Sequence, residues 1–195
     1  GLELCIDMSF PGAGNQYIKD SVLDAVINRD KKLKPLVIVM WSGIDRTEQI
    51  LESNETTYPL AKVGSQYYKR TSNNFSTREL ARQNLLYMME VNQYLNKQKI
   101  DHVFTTYINM TEPSTIPVRD TTPTLYENLS TADEIQLKEL PFIITGNRCL
   151  YEHAFLNNYT GNDMYHPPVE ANLHWTDNVL SKELCVRGFI NEIHS

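Results

Sequence analysis

Cysteine is sparse in this chain and poorly placed for the chemistry it usually serves. Cys5, Cys149 and Cys185 are odd in number, far apart and without a Cys-x-x-Cys pair. That argues against a disulfide framework or a zinc site and points to buried thiols in a reducing compartment. Long apolar runs are missing too. Stretches such as Leu36 to Trp41 fall far short of a bilayer span, and no signal peptide is visible. Positive charge is in deficit, with 18 Lys and Arg against 24 Asp and Glu and a net charge of −6. This balance argues against a general nucleic-acid or membrane-surface binder. The expectation is a cytoplasmic protein with neither membrane nor nucleic acid as its partner.

What is present suits one globular core. Hydrophobic residues make up 41% and charged residues 22% of the 195, an ordinary balance for a chain able to bury a sizeable interior. No linker divides it, so a single domain over 1–195 is expected. The chain opens on Gly1 and enters a strand at once. That suits either a residue left by tag removal or an internal start with native residues upstream. Asn-x-Ser/Thr sequons at Asn54, Asn74, Asn109, Asn128 and Asn158 are what chance supplies in a sequence rich in those residues.

The first forty residues spell strand, turn, helix, strand. Leu2 to Met8 is short and mostly apolar and runs into Pro11-Gly12-Ala13-Gly14-Asn15. Asn15 is available to cap a helix whose Ile18, Val22, Ala25 and Val26 share a face. Lys34-Pro35 ends that helix. Leu36-Val37-Ile38-Val39-Met40-Trp41 then has the unbroken apolar character of a strand covered on both sides. From Arg46 to Asn74 the chain is polar and without strong periodicity, an insertion over about 46–75. Ser76-Thr77-Arg78-Glu79 is a capping box. It opens a helix through about Gln98, with Leu80, Leu85, Met88, Val91 and Leu95 on one face. His102 to Ile108 reads as the next strand, and a second polar insertion covers about 109–129. Thr131 to Glu134 caps a short helix to Leu140, and Phe142 to Thr145 suits a last short strand. The final helix starts near Pro168, with Val169, Leu173, Thr176, Leu180 and Leu184 at helical spacing and Gly188 at C′. Alternating strands and helices predict an α/β fold, a three-layer sandwich around a parallel sheet that contains Leu2–Met8, Leu36–Trp41 and His102–Ile108.

Ligands in such folds sit at the carboxyl ends of the strands, and three segments belong there. The turn Pro11 to Asn15 leads into a helix N-terminus, whose unpaired N–H groups suit an anion or a developing oxyanion. Read more plainly, its glycines form a turn. Trp41-Ser42-Gly43-Ile44-Asp45-Arg46 follows the second strand, and its plain reading is a surface loop with an Asp–Arg pair. Asp163-Met164-Tyr165-His166-Pro167-Pro168 is the most informative. A carboxylate three residues before a histidine can turn back on the imidazole and fix its tautomer, while the prolines stiffen the loop and start the helix. Asp163 and His166 are therefore candidate orienter and base of a hydrolytic site.

Together these segments resemble the SGNH, or GDSL, hydrolases: esterase-like enzymes with a flavodoxin-like sheet and four sequence blocks. The blocks are Gly-Asp-Ser after the first strand, a glycine after the second, Gly-x-Asn-Asp after the third, and Asp-x-x-His before the last helix. Asp163 and His166 match the last block. Gly43-Ile44-Asp45-Arg46 stands at the third, with Asp45 in place of the oxyanion-hole Asn and Arg46 in place of Asp. Gly12 or Gly14 is the second-block glycine. Gly-Asp-Ser occurs nowhere. If Leu2–Met8 is the family's second strand, the first strand and its serine lie upstream, and a strand must come from elsewhere to pair the open edges. If Leu2–Met8 is the first strand, Asp7-Met8-Ser9 stands in for Gly-Asp-Ser and Ser9 holds the nucleophile's strand-to-turn position. The spacing from Gly12 or Gly14 to Gly43 favours the second-strand placement. The chain is also similar to divergent SGNH-like proteins of tailed phages, a resemblance that implies a virion-associated alternative to the cytoplasm.

The resemblance implies hydrolysis of a small-molecule or carbohydrate ester, without metal or cofactor. His166 would be the base, Asp163 its orienter, Ser9 or an upstream serine the nucleophile, and Gly14 and Asn15 the oxyanion donors. An ionised Asp45 opposes an oxyanion, so reduced activity is expected. The eroded first and third blocks support a second reading, a non-catalytic phage structural or carbohydrate-binding protein, and self-association is open. Nucleic-acid binding through Lys62, Lys69, Arg70, Arg78 and Arg82 with Tyr67 and Tyr68 runs against the net acidity; a solvated face explains the same residues.

Overall fold

An unbroken apolar strand suits cover on both faces, but β1 (Leu36–Trp41) is buried on one, at Val39 and Trp41, and exposed on the other, at Ile38 and Met40. The computed structural model describes residues 13–51, 61–63, 66–71, 75–111, 124–143, 149–159 and 167–191; the expected strand Leu2–Met8 lies outside them. α1 (Asn15–Asn28) precedes β1, and β2 (Thr47–Leu51), β3 (Ala61–Val63) and β4 (Gln66–Thr71) follow it. Then come α2 (Thr77–Lys97), β5 (Asp101–Thr106), α3 (Leu125–Asn128), α4 (Thr131–Lys138) and α5 (Leu150–Leu156). α6 (Val169–Trp175) passes through a π-helical turn, Thr176–Leu180, into α7 (Ser181–Val186).

β1 and β5 pair in parallel, Leu36 opposite Asp101 through Trp41 opposite Thr106. Side chains alternate across a strand, and here the alternation divides the core. Val39, Trp41 and Phe104 join Val26 of α1 and Leu85, Met88, Val91 and Leu95 of α2. Val103 joins Ile143, Trp175, Val179 and Leu184. Phe104 receives a further parallel bridge from Phe142, donating its N–H to Pro141 O (2.9 Å) and accepting from Ile143 N (2.9 Å). The short strand expected at Phe142–Thr145 is thus described to Ile143. Among the described residues β1 pairs with β5 alone, and its Ile38 and Met40 are exposed.

The expected helix after the capping box is present. Ser76 Oγ accepts from Glu79 N (3.3 Å), and Glu79 reaches back to Ser76 N (2.8 Å). All five predicted apolar positions of α2 are buried. Gly188 closes α7 at φ +74°, with Gly188 N bonded to Cys185 O and Phe189 N to Leu184 O, both at 2.9 Å, the Schellman pattern.

Several expectations need correction. The stretch 46–74, read as aperiodic, contains an antiparallel sheet ordered β2-β4-β3. Among its described side chains, Val63 and Tyr68 carry the apolar contact, meeting Ala13 and Tyr17, too few to print a period of two. α4 is capped by Ser130, one residue earlier than expected, through Asp133 N. Val169 and Leu173 are 67% and 61% exposed; Ala171, Trp175 and Val179 face the core instead, beside the expected Leu184. The π-helical turn, in which Ser181 N reaches Thr176 O, adds a residue and shifts the buried stripe partway along the helix. Burying the indole of Trp175 outweighs burying Leu173.

These placements separate two leucines by consequence. Leu85→Ala should cost ~2–5 kcal/mol in urea unfolding, and Leu173→Ala under about 0.5 kcal/mol. Equal losses would show that one of the two faces is misassigned.

Candidate functional site

Two of the three segments expected at the carboxyl ends of the strands do meet, and Asn15 joins them. Its side chain is 1% exposed. Nδ2 donates to Ser42 O (2.9 Å) and to Asn84 Oδ1 (2.5 Å), and Oδ1 accepts from Ser42 N (2.7 Å). Asn84 of α2 in turn donates to Ile44 O (3.3 Å) and Leu80 O (2.8 Å). A buried amide this fully satisfied acts as a peptide-like clamp on the loop after Trp41. Sequence reasoning placed Asn15 at the N-cap; Gly14 is the N-cap, and Asn15 is the first helical residue. Asn84 was missed. A lone Asn among the apolar positions of an amphipathic helix was the available signal.

Gly14 has its own reason to be glycine. A Cβ there would stand 2.4 Å from Arg46 O and 2.9 Å from the Glu48 carboxyl carbon. Glu48 of β2 turns its carboxylate into the start of α1, accepting from Gly14 N (2.7 Å) and Tyr17 N (2.8 Å). An anion does sit at this helix N-terminus, and it belongs to the protein. Burial pushes the Glu48 carboxyl above its ordinary range, the two N–H bonds pull it down, and Asp20 pushes it up again. Burial prevails. The oxyanion role expected of Gly14 and Asn15 therefore meets prior commitments: the Gly14 N–H is held by Glu48, and the Asn15 side-chain amide by Ser42 and Asn84.

Gly43 is buried and Asp45 exposed in a tight turn closed by Arg46 N to Gly43 O (3.3 Å). Beyond β5, Tyr107 N reaches Trp41 O (3.0 Å) and Tyr151 N reaches Tyr107 O (3.1 Å), bringing α5 to the same end of the strands. Glu152 is buried there and accepts from Asn109 Nδ2 (3.2 Å). Cys149 is fully buried, and burial, with Glu152 beside it, pushes its thiol up to about 12. That makes it a poor nucleophile. His153 Nε2 lies 2.8 Å from His174 Nδ1. No cluster of three or more metal-ligating side chains occurs among the described residues.

Ser9, Gly12, Asp163 and His166 lie outside the described residues, so the contact expected between Asp163 and His166 belongs to that undescribed part. Beside Glu48 is a hollow of about 60 Å³, lined in part by Gln16, Arg46, Gln83 and Tyr87, with room for a few waters. A larger one, about 340 Å³, opens at the amino end of β5 among Asn92, Asn96, Asp101 and His102, away from the expected ligand end. Comparison with protein-family models, curated proteins and solved structures finds no match.

Two outcomes follow for the clamp. Gly14→Ala should cost ~1–3 kcal/mol in urea unfolding, because the backbone of Arg46 must move. Glu48→Gln keeps an acceptor but does not titrate. A folded-state value raised above 4.5 stabilises below that value and loses the contribution as pH rises through it. Relative to Glu48→Gln, wild type should therefore lose thermal stability between about pH 4 and pH 7. The opposite slope would mean that the helix N-terminus, not burial, governs this carboxyl.

Proposed function

We propose that this chain is a divergent SGNH-type hydrolase acting weakly, at most, on an ester, with an acylated carbohydrate as its substrate class. The observation that carries this reading is the meeting of the Gly14–Asn15 turn with the Ser42–Arg46 loop at the carboxyl end of a parallel strand pair. That is where open α/β sheets hold their ligands. In this reading the sheet is flavodoxin-like, and a further strand lies beside β1, pairing the edge that β5 leaves open among the described residues. His166 is the base, Asp163 fixes its tautomer, and Ser9 or a serine preceding this chain is the nucleophile.

One observation favours a non-catalytic reading on the same scaffold. The Glu48 carboxylate holds the N–H groups of Gly14 and Tyr17, donors that an ester hydrolase would aim at its oxyanion. A carbohydrate-binding or phage structural protein needs no such donors. Under the hydrolase reading, turnover is limited by this occupied helix N-terminus.

Aryl esters of graded acyl chain length separate the two readings. Turnover is expected to be weak or nil. Weak turnover abolished by both Ser9→Ala and His166→Ala makes Ser9 the nucleophile, and loss with His166→Ala alone points to another nucleophile or activated water. Activity unaffected by His166→Ala would falsify the catalytic assignment.

A further inference from the structure

His153 and His174 form a contact that no part of the hydrolytic reading uses. His153 belongs to α5 and is 4% exposed; His174 belongs to α6 and is half-buried. Nε2 of the first and Nδ1 of the second are 2.8 Å apart, with ring centroids at 5.0 Å and planes 34° apart. An N···N contact of this length needs one donor and one acceptor. Two neutral rings supply them by sharing one N–H. One added proton gives an imidazolium donating to an imidazole, a charge-assisted bond. A second proton sets N–H against N–H between two cations, and the bond is lost. Each ring's proton therefore sets what the other can donate or accept.

Among the described residues, none offers the second charge an ion-pair partner. Glu152, next to His153 on α5, accepts from Asn109. Tyr159, after α5, places its ring 5.6 Å from that of His174. Glu170 and Asp177 lie about one turn before and after His174 along its helix. None of these forms an ion pair with either ring.

We propose that His153 and His174 are an acid-sensitive latch between α5 and α6, closed while at least one ring is neutral and opened when both are charged. Burial, and then the charge of His174, hold His153 below the ordinary histidine value. A depressed histidine contributes stability that is full above about 6.5 and lost as pH falls below it. α5 remains tied to β5 through Tyr151 N and the Thr106–Cys149 bridge. Opening thus loosens the α5–α6 contact and leaves the β1–β5 pair in place. The latch does not depend on the hydrolase reading.

Amide hydrogen exchange on the full chain at about pH 7.5 and about pH 5, corrected for intrinsic rates, tests the latch. Protection in α5 and α6 should fall at least about tenfold at the lower pH, the factor that one differential proton supplies per pH unit, while α2 holds. His174→Gln can accept from His153 but cannot take a charge, so its α5 and α6 should keep their protection. Ring ¹⁵N shifts of the unaltered protein should show one shared N–H at the higher pH and a coupled titration. Equal loss in α2, equal loss in His174→Gln, or two rings titrating independently at ordinary values would each overturn the latch.

Discussion

The buried amide of Asn15 fixes the geometry on which the rest of this end of the molecule depends. Its donor and acceptor ends are both spent on the backbone of Ser42, and its second N–H on Asn84. Such a group, if left unsatisfied, would cost about 1–3 kcal/mol in a dry interior, so the start of α1, the loop after β1 and the first half of α2 hold one mutual position. That position brings Arg46 O and Glu48 against Gly14, where only a residue without Cβ fits. Glu48 then satisfies the N–H groups that open α1. β2 is therefore bound to α1 at its Glu48, and the antiparallel sheet packs on the same helix through Tyr68, whose hydroxyl donates to Asp20 (2.7 Å).

The functional consequence turns on a general feature of helix starts. Free N–H groups and the positive end of the dipole will hold whichever anion is nearest. A substrate oxyanion is one candidate; a carboxylate built into the next strand is another, and it is present at full effective concentration. In this chain the built-in carboxylate is partly buried and held at short distance. That favours rigidity of the turn over its use as an electrostatic catalyst. The loop geometry brings the two segments together, while the Gly14 N–H and the Asn15 amide between them are already committed.

At the other end of the chain a similar economy holds the last helix. Glu183 is fully buried, and Arg187 Nε donates to it at 2.7 Å. Its Nη1 donates to Pro141 O (3.3 Å) and its Nη2 to Phe142 O (2.6 Å). One planar cation thereby fastens α7 to the backbone that bridges β5. Removing either partner would strand the other's charge or its hydrogen bonds in the interior.

Local patterns were legible from sequence wherever a single element carried them. The Ser76–Glu79 box, the Leu80–Leu95 stripe, the apolar run of β1 and the αL glycine at 188 each depend on residues within a few positions of one another, so elementary helix and strand geometry determines them. The antiparallel sheet, the shifted face of the last helix and the true partners of Asn15 were decided by tertiary structure. A polar ladder leaves little hydrophobic period, the competition between Leu173 and Trp175 is settled by the surface each is offered, and Asn15, Ser42 and Asn84 are distant in sequence. The sequence by itself therefore determined that a glycine turn and a helix N-terminus would stand at the candidate site. Only the fold decided that Glu48, thirty-four positions from Gly14, would occupy it, because hydrogen bonding between distant residues depends on where the packed elements place them.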